Sequence, residues 1–139
     1  MQDKEETYIK IVLVGKKELL KKYVYNDSTT GDLEMPYKYK FDNISAENYA
    51  HIRNHDISII LADDEIEEII LLCKKCREII DNPIIILGKP KEEYAVKLLE
   101  AGADDYIKAP ISKRVLDILI YTHIRRENRF CHDCEGDVI

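Results

Sequence analysis

Pro83-Ile84-Ile85-Ile86-Leu87-Gly88-Lys89-Pro90, an amphipathic stretch, and then Glu100-Ala101-Gly102-Ala103-Asp104-Asp105-Tyr106-Ile107-Lys108-Ala109-Pro110 make up residues 83–110. The first run reads as a strand from Pro83 to Leu87. Pro90 suits the first turn of a helix over Lys91 to Ala101, because proline lacks only an N–H that a helix start leaves unused. Gly102 closes that helix as the residue after its last turn. Asp105 to Lys108 follows as a second strand. Strand, helix and strand in such quick succession imply parallel pairing through a right-handed crossover.

Working outward, the same alternation continues. Tyr8 to Val14 is apolar and β-branched, a strand buried on both faces that Gly15 ends. Lys17 to about Asn26 reads as a short helix. Asp27 to Pro36 is turn-rich, and Tyr37 to Phe41 alternates as a strand near a sheet edge does. Ser45 is placed to cap a helix reaching about Asn54. Ile57 to Ala62 is another apolar strand, and Asp63 or Asp64 can cap the helix that follows to about Ile80. Its seam of Ile66, Ile69, Ile70, Cys73, Cys76 and Ile80 keeps helical spacing. Ser112 caps a last helix with Val115, Leu116, Leu119, Ile120 and Ile124 inward, ending in the basic run Arg125 to Arg129. The expected fold is α/β, a five-stranded parallel sheet with helices on both faces. In such sheets the functional crevice lies at the carboxyl ends of the strands, here Gly15, Leu61 to Asp63, Gly88 and Ala109.

The chain has 139 residues, 45% of them hydrophobic, which suits one buried domain. Residues 1–128 are read as that domain, and residues 129–139 as a tail or the start of a linker. The net charge of -6 argues against direct binding of nucleic acid. No apolar run nears the roughly 20 residues that span a bilayer, and Met1 to Glu6 has no apolar signal core. A cytoplasmic protein with reduced thiols is expected.

These residues resemble response-regulator receiver domains, from Tyr8 to about Arg126. The resemblance implies a flavodoxin-like (βα)5 doubly wound sandwich with strand order 2-1-3-4-5. Asp56-Ile57-Ser58-Ile59-Ile60-Leu61 matches the family's strand leading to its phospho-acceptor aspartate, and that position holds Leu61. Receivers accept a phosphoryl group on this carboxylate, with Mg²⁺ held by nearby acids. Leucine offers no attacking oxygen. Where the family places two acids after its first strand, this chain has Gly15 and Lys16, and a lysine repels a cation. Gly88 and Ala109 stand where the family keeps a Thr or Ser and a Lys. Lys108 lies one residue early and so points to the opposite face. Tyr106 occupies the aromatic position that changes rotamer on activation in the family. The reading is therefore a pseudo-receiver with no catalytic residue, cofactor or metal; Asp63, two residues past Leu61, is the fallback acceptor.

Other signals have rival readings. Cys73-Lys-Lys-Cys76 and Cys131-His132-Asp-Cys134 together have the ligand count of a zinc site, but the first pair sits on a helix seam where cysteine serves as a small hydrophobe. The tail pair leaves a metal or redox role open. Gly15-Lys16-Lys17 lacks the spacing and hydroxyl of a phosphate loop. Lys16, Lys17 and Lys89 form either a solvated rim or a small-anion sensor. His51, His55, His123 and His132 have no triad spacing and take surface or helix-face roles.

The expected function is regulatory, through protein contacts. Receivers resembling this one dimerise through the fourth helix, fifth strand and fifth helix, which here would bring in Tyr94, Lys97, Asp105, Tyr106, Lys113 and Tyr121. A homodimer at the amino-terminal end of a longer regulator, affecting a downstream effector such as a transcriptional regulator, is the resulting expectation.

Overall fold

The computed structural model describes residues 8–26, 38–89 and 91–127. In chain order they form β1 (Tyr8–Val14), α1 (Lys17–Tyr23), β2 (Val24–Tyr25), β3 (Lys38–Ile44), a 3-10 helix (Ala46–Asn54), β4 (Ile57–Leu61), α2 (Ile66–Ile79), β5 (Ile84–Gly88), α3 (Glu92–Glu100), β6 (Asp105–Lys108), β7 (Ile111–Ser112) and α4 (Lys113–Glu127). The main sheet is five-stranded and parallel, ordered β3-β1-β4-β5-β6, and β2 pairs with β7 as a separate ribbon. Counted over the main strands alone the order is 2-1-3-4-5; it differs in detail from the expectation because of that extra ribbon.

Alternation along the strands divides the core into two layers. Ile57, Ile59 and Leu61 of β4 join Ile9, Ile11, Leu87, Leu116 and Ile120 on the face that α1 and α4 cover. Ile60 and Ala62 point the other way, among Val12, Ile86, Cys73 and Leu98 beneath the 3-10 helix, α2 and α3. Each of these side chains is nearly or fully buried, and each large one stabilises the fold by about 1.5–3 kcal/mol. Filling both faces is why β1, β4 and β5 read as continuous apolar runs.

Three local expectations are corrected. α1 stops at Tyr23 rather than near Asn26, because β-branched Val24 turns extended and pairs with Ile111. The helix after Ser45 is 3-10, interrupted by non-helical Asn48, and Ser45 makes no side-chain cap. Val115 is 45% exposed rather than inward. By contrast Ser112 does cap α4, its Oγ accepting the Val115 N–H at 3.1 Å. The turn-rich stretch 27–36, Tyr37, Pro90 and the tail with Arg129, Cys131, His132 and Cys134 lie outside the described residues.

Candidate functional site

The carboxyl ends of β1, β4, β5 and β6 come together as the topology requires, and at two of them a glycine leaves room for a residue of the neighbouring strand. Gly15 adopts φ +140, and a Cβ built on it would lie 3.0 Å from Leu61 Cβ and 3.2 Å from the Leu61 carbonyl oxygen. A side chain at 15 is thus excluded both by backbone strain and by Leu61. Leu61 itself is 2% exposed and belongs to the apolar core, as does Ala109. At the next strand end, a Cβ on Gly88 would meet Ala62 Cβ at 3.0 Å and the Tyr106 hydroxyl at 3.1 Å. Gly88 makes the room into which Tyr106 turns.

Two phenols reach the strand ends from opposite sides. Tyr106, half-buried, donates its hydroxyl to the Lys89 carbonyl. Tyr23, at the end of α1 and nearly fully buried, donates to the Ala62 carbonyl at 2.7 Å. Burial pushes both phenols above their ordinary pKa. Tyr23 escaped sequence reasoning because it lay within a helix expected to continue to Asn26; a tyrosine one turn after Leu19 and Leu20 was the available signal.

The charged residues are arranged around this plug. Asp63 Oδ1 accepts the Glu65 N–H at 2.9 Å, a local turn that leads into α2. Asp64 pairs with Lys89 Nζ at 2.7 Å, and that ammonium holds the Asp64 carboxyl below the usual carboxylate range. The pair is exposed and contributes little stability. It also engages one of the three lysines of the expected rim, whereas Lys16 lines a cleft of about 380 Å³ with Leu61, Asp63, Glu47 and Glu68. The residues at the strand ends do not fit the divalent cation that the family resemblance implies: Gly15 and Leu61 offer no oxygen side chain and Lys16 brings a positive charge. Among the described residues, no three His, Cys, Asp or Glu side chains are grouped to hold a metal ion.

The expected contact residues are only partly brought together. Tyr106 faces inward. Asp105, beside it, lies 3.0 Å from Nε2 of His123, which is buried against β6. Lys97 is exposed on α3, and Tyr94 is half-buried with Lys91 Nζ 5.2 Å from its ring centre. Lys113 sits elsewhere: its ammonium lies 5.4 Å from the Phe41 ring on β3, the opposite edge of the sheet from β6, and binds Asp117. Tyr121 lies one helical turn beyond Asp117 on the same side of α4 and packs under Arg125.

Cys73 and Cys76 are fully buried, and burial pushes their thiols up to about 11 and about 12 from 9.0. Below pH 9 both stay protonated whether the chain is folded or not. Above it only the unfolded chain ionises them, so stability is expected to fall as pH rises through the folded values, by up to about 1.4 kcal/mol per pH unit and thiol. Urea midpoints measured from pH 8 upward check this; in a Cys73→Ala, Cys76→Ala variant the decline should begin later, with the tyrosines.

No family model matches the chain. It is 45% identical over 62 residues to the transcriptional regulatory protein SpaR of Bacillus subtilis, covering 44% of this chain and 28% of SpaR. Over 62 residues it is 39% identical to the nisin biosynthesis regulatory protein NisR of Lactococcus lactis, covering 44% of this chain and 27% of NisR. The matched segment thus spans about a quarter of these relatives' length. Among solved structures, a two-component response regulator from Clostridium difficile superposes with a TM-score of 0.63 at 17% identity, covering 86% of this chain and 98% of that one. The BeF3-activated DrrB receiver domain gives 0.61 at 20% identity, covering 86% and 99%. The chain thus has the fold of these receiver structures, and over the matched segment it is similar in sequence to response regulators.

Proposed function

We propose that this chain is a receiver domain that does not undergo aspartyl phosphorylation and that regulates signal transduction by protein contact alone. The observation that carries the reading is the interlocking of its departures from the family. Leu61 fills the space that a side chain at 15 would need, and Tyr106 fills the space that one at 88 would need. Restoring a family side chain at 15 or at 88 therefore produces a collision rather than a working site. Asp63, the fallback acceptor, spends one carboxylate oxygen on the Glu65 N–H.

The contact surface in this reading is α3, β6 and α4. β6 is a sheet edge, and the helices before and after it each expose an apolar pair one turn apart: Val96 and Leu99 at 52% and 44%, Val115 and Ile118 at 42–45%. Large apolar side chains left in water on consecutive elements suit a two-fold contact between copies, with Lys97 in the polar rim. SpaR and NisR are named as regulators of transcription and biosynthesis, and a transcriptional effector is the output this proposal favours.

Light scattering tests the assembly. The chain is expected to give the molar mass of a dimer with or without a small phosphodonor and Mg²⁺, and Leu99→Asp to give that of a monomer. A mass that changes on adding the donor contradicts the proposal.

A further inference from the structure

We infer that the seam between the 3-10 helix and α2 is a docking groove for a basic amphipathic segment of a partner protein. Two hollows, of about 380 and 440 Å³, lie along this seam and share Ala46, Glu47, Glu68 and Leu72, so they form one continuous groove. Its floor is apolar, with Leu72 buried and Tyr49 half-buried, and Leu71 stands beside them 54% exposed. The interruption at Asn48 breaks the regular turn of the 3-10 helix in the middle of the wall. A leucine in water next to an open apolar floor on a monomer surface is a feature of binding grooves.

Charge selects the occupant. Glu47 rises from one wall and Glu68 from the other, and Asp63 and Glu65 extend the negative charge at one end. The cations along the groove are Lys16 at that end and Lys75, whose ammonium lies 5.7 Å from the Tyr49 ring centre. Four carboxylates thus face two ammonium groups across an apolar floor. The complement is a helix with apolar residues at i, i+3 and i+4 and Lys or Arg on its flanks. The 3-10 helix packs over β1 and β3, and α2 lies between it and α3, whereas the proposed self-association face centres on the β6 edge.

The test uses the full chain, labelled for amide NMR, titrated with a synthetic helix-forming peptide that has one leucine face and one lysine face. Saturable shifts confined to the 3-10 helix and α2 are expected. Leu71→Ser should weaken binding about tenfold, which is what burial of its side chain is worth. Glu47→Lys combined with Glu68→Lys should abolish it. Tyr25→Ser, exposed on the β2 ribbon away from the groove, should leave it unchanged, and a peptide with glutamates in place of the lysines should not bind. Equal binding of both peptides, no binding, or shifts centred on α3 and α4 would overturn the inference. So would shifts at the groove that appear on concentrating the chain without peptide, since the occupant would then be a second copy.

Discussion

Leu61→Asp is expected to lower the free energy of unfolding by roughly 3–5 kcal/mol rather than to rebuild a phosphorylation site. The side chain is 2% exposed and lies in the core layer with Ile59, Leu87 and Leu116. The change removes the favourable burial of a leucine and leaves a carboxylate among mostly apolar atoms, at the inner wall of the cleft that Lys16 also lines. Burial raises the pKa of the new carboxyl, and its protonation relieves part of the cost, so the loss should be smaller in mild acid than at neutral pH. Leu61→Met, which keeps volume and polarity, should cost less than about 1.5 kcal/mol. Urea unfolding of the two variants side by side separates the loss of polarity match from simple repacking. An aspartate variant as stable as the parent would mean that position 61 reaches water or a cation, which the account denies.

The second large effect is expected at position 88. A threonine there must place its Cβ within 3.0 Å of Ala62 Cβ and 3.1 Å of the Tyr106 hydroxyl. Overpacking of this kind costs about 1–3 kcal/mol, and expulsion of the phenol adds the loss of its bond to the Lys89 carbonyl, about 1 kcal/mol. Because Tyr106 is the flexible partner in the collision, the cost should depend on it. Gly88→Thr in a Tyr106→Phe background is expected to be cheaper than in the parent, with a coupling of roughly 0.5–3 kcal/mol in the double-mutant cycle of urea stabilities. Strict additivity would show that the two positions do not share space.

The fold was legible because two signals agreed along the chain. Apolar β-branched runs such as Ile84 to Leu87 alternate with helical seams such as Ile69, Cys73 and Cys76, and both survive in the structure with shifts of a residue or two at their ends. β4 ends at Leu61, one residue before the expected Ala62. What the sequence hid depends on contacts between distant segments. Nothing local marks Gly15 as the complement of Leu61, or Gly88 as the complement of Tyr106, since each pair meets only across the sheet. Lys113 was assigned to the β6 edge by helix membership alone, but the rotation of α4 carries it to Phe41. Tyr23 needed the early stop of α1, which a two-residue ribbon with Ile111 and Ser112 imposes. The 3-10 helix went unrecognised for a similar reason: the mixed sequence Ala46–Asn54 reads as a weak α-helix, and its tighter turn is set by what it packs on.

The measurement that bears most directly on the central claim is the intact mass of the chain after incubation with a small phosphodonor and Mg²⁺. The mass of the unmodified chain is expected at every donor concentration, with no acid-labile adduct. A single phosphate adduct that disappears in Asp63→Asn would contradict it and move the acceptor to that side chain.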